Sequence, residues 1–82
     1  MDSTGIKYKL KFILRMTHTV VHELPDTISI VPKVGDIIGL KDALYKVSSI
    51  ITYMDEVHHD NVSGSYIDVD VMVEWLRKKG DY

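Results

Sequence analysis

Residues 65–76 are SYIDVDVMVEWL, a stretch in which apolar and polar side chains alternate with a period of two. Successive side chains of a β-strand point to opposite faces of the sheet, so this alternation predicts a half-buried strand. The apolar positions are Ile67, Val69, Val71, Val73 and Trp75, and the acidic ones are Asp68, Asp70 and Glu74. The β-branched residues fit a strand better than a helix. At most a short helical turn over residues 75–79 is expected to follow.

Residues 6–15, IKYKLKFILR, repeat the same pattern near the start of the chain. The apolar set is Ile6, Tyr8, Leu10, Phe12 and Leu14, and the basic set is Lys7, Lys9, Lys11 and Arg15. Ile13 is the exception, because it is an apolar residue among the basic ones. We therefore predict a second half-buried strand with a basic outer face.

The middle of the chain predicts a hairpin. Residues 45–57 alternate as a strand, and the turn-rich residues 58–64 separate them from residues 65–76. An antiparallel pairing with Val47 opposite Trp75 and Ile51 opposite Val71 places both apolar sets on one side. A shorter strand over residues 36–40 is expected after the turn at Pro32 to Asp36. Residues 17–30 suggest one or two short edge strands.

These elements predict one all-β domain over residues 1–82. With four to six strands, the architecture is a small antiparallel β-barrel or a strongly curved sheet. The barrel is favoured because the first and last strands have complementary outer faces. In an antiparallel pairing Lys7, Lys9 and Lys11 would lie beside Glu74, Asp70 and Asp68.

The composition excludes several classes of protein. The chain contains no cysteine, which excludes disulfide scaffolds, thiol nucleophiles and zinc sites with thiolate ligands. Its 10 basic and 12 acidic residues do not favour a general polyanion binder. There is no apolar run long enough for a membrane helix and no pattern of a signal peptide, so we expect a cytoplasmic protein without membrane contact.

No catalytic motif is visible in the sequence, and we predict neither an enzyme nor a bound cofactor. No serine lies in a Gly-x-Ser-x-Gly elbow, and no glycine-rich phosphate loop is present. His18 and His22 would lie about 13 Å apart in an extended chain, too far for one metal ion. The run His58-His59-Asp60 leaves open a second alternative, a small enzyme or metal binder that uses this loop.

Apolar residues on the outer face point to contact with another protein. We expect Ile13, Ile50, Met54 and Met72 to face outward as neighbours, which would make a contact patch. The hairpin residues His58, His59, Asp60 and Asn61 are expected to add polar contacts, because loops on a rigid scaffold commonly bind partners. The prediction is a non-enzymatic protein–protein interaction module that could form a homodimer. The first alternative is a nucleic-acid-binding barrel that uses Lys7, Lys9, Lys11 and Arg15.

A central segment resembles a known group of proteins. The run Pro32-x-Val34-Gly35-Asp36-Ile37-Ile38-x-Leu40, followed by Tyr45-Lys46-Val47-x-x-Ile50, is similar to the middle of small bacterial and phage-encoded β-barrel proteins of the Src-homology-like or Sm-like type. The resemblance covers about a quarter of the chain. It implies a protein of a phage or mobile element that binds host or viral proteins, for example as an inhibitor of bacterial immunity.

Overall fold

The computed structural model describes residues 6–61 and 64–80, which form a five-stranded sheet and include no helix. The strands are β1 (Lys7–Leu14), β2 (Thr19–Glu23), β3 (Ile37–Leu40), β4 (Ala43–Asp60) and β5 (Gly64–Lys78). The predicted all-β class is confirmed. The short helical turn that the sequence allowed over residues 75–79 does not form, because β5 continues to Lys78.

The strand order is β2-β1-β5-β4-β3, so the sheet is open, with β2 and β3 at its two edges. The first and last strands are neighbours as predicted, but they are parallel and not antiparallel. The cause is the number of reversals. Only one strand forms within residues 17–30, so four successive reversals separate β1 from β5 and return the chain to its original direction. The sheet is therefore mixed, and the closed barrel favoured from the sequence is not formed.

One face of the sheet carries the core. Its buried residues come from β1, β3, β4 and β5 and include Leu10, Phe12, Leu40, Val47, Ile67, Val69, Val71 and Val73. The connection from β2 to β3 covers this face, since Leu24, Ile28 and Val31 pack against the core. Two backbone hydrogen bonds between Tyr8 and Ile28, of 2.7 and 2.8 Å, fasten this connection to β1. The opposite face is called the outer face below.

The β4–β5 hairpin forms as predicted, but its register does not. Val47 lies opposite Val73 and Ile50 opposite Val71, because the pairing shifts at three places. One shift, between Val47 and Ser49, inserts an extra residue in β4, and a single extra residue exchanges the faces of all residues beyond it. Ile50, predicted to face outward, therefore packs against the core, while Ile51 is 45% exposed.

Trp75 was also predicted to lie in the core, but it is 55% exposed. The neighbouring strand β1 ends at Leu14, which pairs with Val73. Trp75 lies two residues beyond that point and so lacks cover from β1. The alternation of β5 correctly assigns its face, but burial also requires a neighbour.

Candidate functional site

The outer face carries two neighbouring columns of opposite charge. The basic column is Lys7, Lys9, Lys11 and Ile13 along β1 with Arg15 directly after it, and the acidic column is Tyr66, Asp68, Asp70, Met72 and Glu74 along β5. Because the two strands are parallel and in register for eight residues, each level pairs one member of each column. Lys9 lies beside Asp68, and Lys11 beside Asp70. The charge complementarity inferred from the sequence is therefore present, with the opposite strand direction.

An apolar row crosses these columns. Ile13 and Met72 are direct partners in β1 and β5, and both are half-buried. Val20 of β2 pairs with Ile13 on the other side and is 46% exposed. The apolar row is thus Val20, Ile13 and Met72. The sequence predicted the last two as neighbours but missed Val20, because the register of β2 could not be derived from its few residues.

The other two predicted patch residues lie elsewhere. Ile50 belongs to the core face, as described above. Met54 is 70% exposed and lies in a stretch of β4 where four residues, Tyr53 to Glu56, oppose the single residue Asp68. This bulge is four residue levels from Met72 along β5, which corresponds to about 13 Å. Only Ile13 and Met72 of the four predicted residues are therefore brought together.

The nearest polar neighbours of the carboxylates in the acidic column are residues other than the lysines. The hydroxyl of Tyr53 donates a hydrogen bond to Oδ2 of Asp70 at 2.7 Å. Oδ2 of Asp68 lies 2.9 Å from Nε2 of His58. Among the described residues, neither the Lys9 nor the Lys11 ammonium lies within 4.0 Å of a carboxylate oxygen. Arg15 does form such a pair, since its Nη1 lies 3.1 Å from Oε2 of Glu74.

The contact with Asp70 changes the chemistry of Tyr53. The hydrogen bond to Asp70 raises the pKa of the Tyr53 phenol, and the negative charges of Asp70, Asp68 and Glu56 add to this effect. A phenol that donates to a carboxylate resists losing its proton, because the phenolate would meet negative charge. Tyr53 therefore acts at neutral pH as a hydrogen-bond donor that fixes the Asp70 carboxylate.

The run His58-His59-Asp60, predicted from the sequence to lie in a loop, forms the end of strand β4. His58 lies on the outer face, where its ring stacks on Tyr66 with centroids 5.0 Å apart. Its Nε2 lies 2.9 Å from Oδ2 of Asp68, but it is buried without a hydrogen-bond partner among the described residues. His59 pairs with Ser65, one residue further along, and so faces the opposite side. Asn61 lies in the turn, and the tip residues Val62 and Ser63 lie outside the described residues.

The alternation of His58 and His59 separates the two imidazoles. In the part of the chain that the structure describes, no three residues among His, Asp and Glu are grouped so that they could hold a metal ion. Nδ1 of His59 lies 2.9 Å from Oγ of Ser65, a contact that sequence reasoning missed because it depends on the hairpin register. Both groups are exposed to water. We assign this contact to fastening the hairpin, since activation of a serine also needs an oriented and desolvated base.

A shallow depression lies between the bulge of β4 and the two charge columns. It has a volume of about 370 Å³ and is open to solvent. Its lining combines both signs of charge, from Lys9 and Lys11 on one side and Glu23, Glu56 and Asp70 on the other. A site with this mixed lining does not select a ligand of one charge.

Comparison of the chain with protein-family models, with curated proteins and with solved structures finds no match. Within the described residues there is also no helix of the length and apolarity needed to cross a membrane. The outer face of the sheet must therefore be interpreted from its own geometry.

Proposed function

We propose that this protein is a non-enzymatic protein–protein interaction module that docks its partner on the outer face of the sheet. The observation that carries the proposal is the apolar row of Val20, Ile13 and Met72, which runs across three adjacent strands. Protein interfaces commonly combine an apolar centre with a polar rim. Here the rim consists of the charged levels on either side of the row.

The two rim levels have alternating charge across the strands. On one side of the row, Glu23, Lys11 and Asp70 are successive partners in β2, β1 and β5. On the other side, Arg15, directly after β1, is followed by Glu74 in β5 and Lys46 in β4. This pattern favours a partner with a matching arrangement of both signs, and so it supplies specificity more than affinity.

The available area indicates a weak or transient complex. Four strands of a sheet span about 19 Å, and eight residues extend about 26 Å, which gives a face of about 500 Å². Standard interfaces bury about 800 Å² on each partner. A complex that uses only this face is therefore expected at the weak end of the range.

The same geometry gives less support to nucleic-acid binding by Lys7, Lys9, Lys11 and Arg15. A phosphate backbone that approached the basic column would meet the acidic column one strand away, at about 5 Å. Electrostatic binding of nucleic acid requires that positive charge dominates the surface. A protein partner can use both columns at once.

The proposal extends to the kind of partner. The resemblance of residues 32–50 to small phage-encoded β proteins implies a host or viral protein that is met in the cytoplasm. Such a partner would place a few apolar side chains on the apolar row and opposite charges around it, and it competes for this face with the second copy of the chain that is argued below.

Affinity capture from a lysate of the cells that express the chain tests the proposal with three baits. We expect a protein that the wild type and Met54→Glu retain equally and that Met72→Glu retains at least tenfold less. The reason is that, of the two methionines, only Met72 lies in the apolar row. Met54→Glu is the matched control, since it makes the same change at an exposed methionine outside the row.

Thermal unfolding of each bait shows that it is folded. Equal retention of every captured protein by the wild type and Met72→Glu would contradict docking on the outer face. Salt-dependent binding to single-stranded RNA or DNA that is lost in Lys9→Glu would instead favour the nucleic-acid alternative.

A further inference from the structure

We infer that the partner on the outer face is a second copy of this chain, related to the first by a two-fold axis. The axis runs parallel to the strands, lies between the two outer faces, and passes over the boundary between β1 and β5. This inference rests on the proposed function, because it names the occupant of the same face. It follows from the self-complementarity of the basic and acidic columns.

A two-fold axis in this direction exchanges the columns and preserves each level along the strands. The basic column of one copy then lies over the acidic column of the second copy. Lys11 faces Asp70 of the second copy, and Ile13 faces Met72 of the second copy. Every such match occurs twice, as a two-fold interface requires.

The parallel register is what makes the levels agree. Lys9, Lys11 and Ile13 each pair with the residue 59 positions later in the chain, without interruption. A two-fold axis across the strands would instead bring Lys11 towards Arg15 and Asp70 towards Glu74. Like charges placed opposite each other disfavour an interface, so the charges select the axis parallel to the strands.

The side chains are prepared for these contacts. The ammonium groups of Lys9 and Lys11 lie more than 4.0 Å from any carboxylate oxygen of the described residues, so they can reach acceptors on a second copy. The hydrogen bond from Tyr53 already holds the Asp70 carboxylate in position. Groups that are fixed before binding lose less conformational entropy when the complex forms.

The packing distance and area are consistent with two stacked sheets. Sheets that face each other lie about 10 Å apart, and side chains of both faces fill the gap. With about 500 Å² available on each copy, the interface lies at the small end of the range, where weak and transient complexes are found.

Sedimentation of charge-reversed variants tests the axis directly. Lys11→Glu alone places two carboxylates opposite each other across the interface, and Asp70→Lys alone places two ammonium groups opposite each other. We expect each variant alone to dimerise at least tenfold more weakly than the wild type. An equimolar mixture should recover the dimer, because one of its two symmetry-related contacts then joins the original lysine and aspartate and the other joins the introduced glutamate and lysine. Lys33→Glu, on the loop before β3, is the matched control and should leave the dimer unchanged.

Three outcomes would overturn the inference: a wild-type protein that stays monomeric at millimolar concentration, single variants that dimerise as well as the wild type, or a mixture that recovers no dimer. The pair Lys9→Glu and Asp68→Lys repeats the test if one of the first variants does not fold. A monomeric wild type that still captures another protein through Met72 would leave the proposed function intact with a different partner. If the wild type neither dimerises nor captures another protein through Met72, both the inference and the proposed function are rejected.

Discussion

The two faces of β1 and β5 are built from alternate residues of the same strands, and they perform different tasks. On the core face, Leu10 is 2% exposed and packs among buried valines. On the outer face, Ile13 and Met72 are only half-buried and lie between charged levels. Hydrophobicity alone therefore does not identify the core of a single-layer sheet. The cover supplied by the β2–β3 connection decides which apolar residues stabilise the fold.

Truncation of an apolar side chain should cost far more stability on the core face than on the outer face. Leu10→Ala should lower the free energy of unfolding by about 2–5 kcal/mol, because it removes buried methyl groups and leaves a cavity. Ile13→Ala in the same strand should cost about 1 kcal/mol or less, since its side chain is already partly hydrated. Urea unfolding of the two variants at low protein concentration measures both values. Equal losses would show that the outer face is as much a part of the core as Leu10.

A smaller effect is expected for the ion pair at the end of the outer face. Arg15 and Glu74 are exposed, with 63% and 50% of their side-chain surface accessible, so their coupling should be below about 1 kcal/mol. A double-mutant cycle with Arg15→Ala and Glu74→Ala measures this coupling. It should decrease further in high salt. A salt-independent coupling of several kcal/mol would contradict this expectation and show that the ion pair contributes substantially to the stability of the fold.

The smallest effect concerns the titration of Tyr53. Its pKa is raised by Asp70, so the phenol should ionise at a higher pH than a free tyrosine, whose pKa is about 10. The stabilisation linked to this shift is complete below the pKa of the unfolded chain and is lost as the pH rises through the folded pKa. Phenolate absorbance of the wild type minus that of Tyr53→Phe isolates this group. Asp70→Asn should return its titration towards that of a free tyrosine, and an unchanged titration in that variant would exclude the hydrogen bond as the cause.

Much of this fold could be predicted from alternation alone. The period of two in residues 6–15 and 65–76 correctly predicted β1, β5 and the two faces of each. It also predicted that Ile13 and Met72 are outward neighbours. Charge complementarity correctly paired these two strands. It could not choose their direction, because lysines and acids at alternate positions match in either sense.

The remaining features depend on bulges and on the register of strand pairing, which the pattern of side chains does not predict. The extra residue at Ser48 and the bulge from Tyr53 to Glu56 exchange faces along β4, and no glycine or proline marks either place. Ile50 consequently moved from the predicted patch to the core. The place of Val20 in the apolar row depends on the pairing of β2, which contains only five residues. The contact of His59 with Ser65 likewise depends on the register of the hairpin.

NMR of the methionine methyl groups during dilution of the protein tests directly whether the outer face binds a second copy. Met72 lies in the apolar row, whereas Met16 and Met54 are 92% and 70% exposed and lie outside it. If the outer face binds a second copy, the Met72 methyl resonance should shift with concentration, and those of Met16 and Met54 should stay fixed. A stationary Met72 resonance combined with concentration-dependent shifts at Met16 or Met54 would contradict the assignment of the docking surface to the outer face.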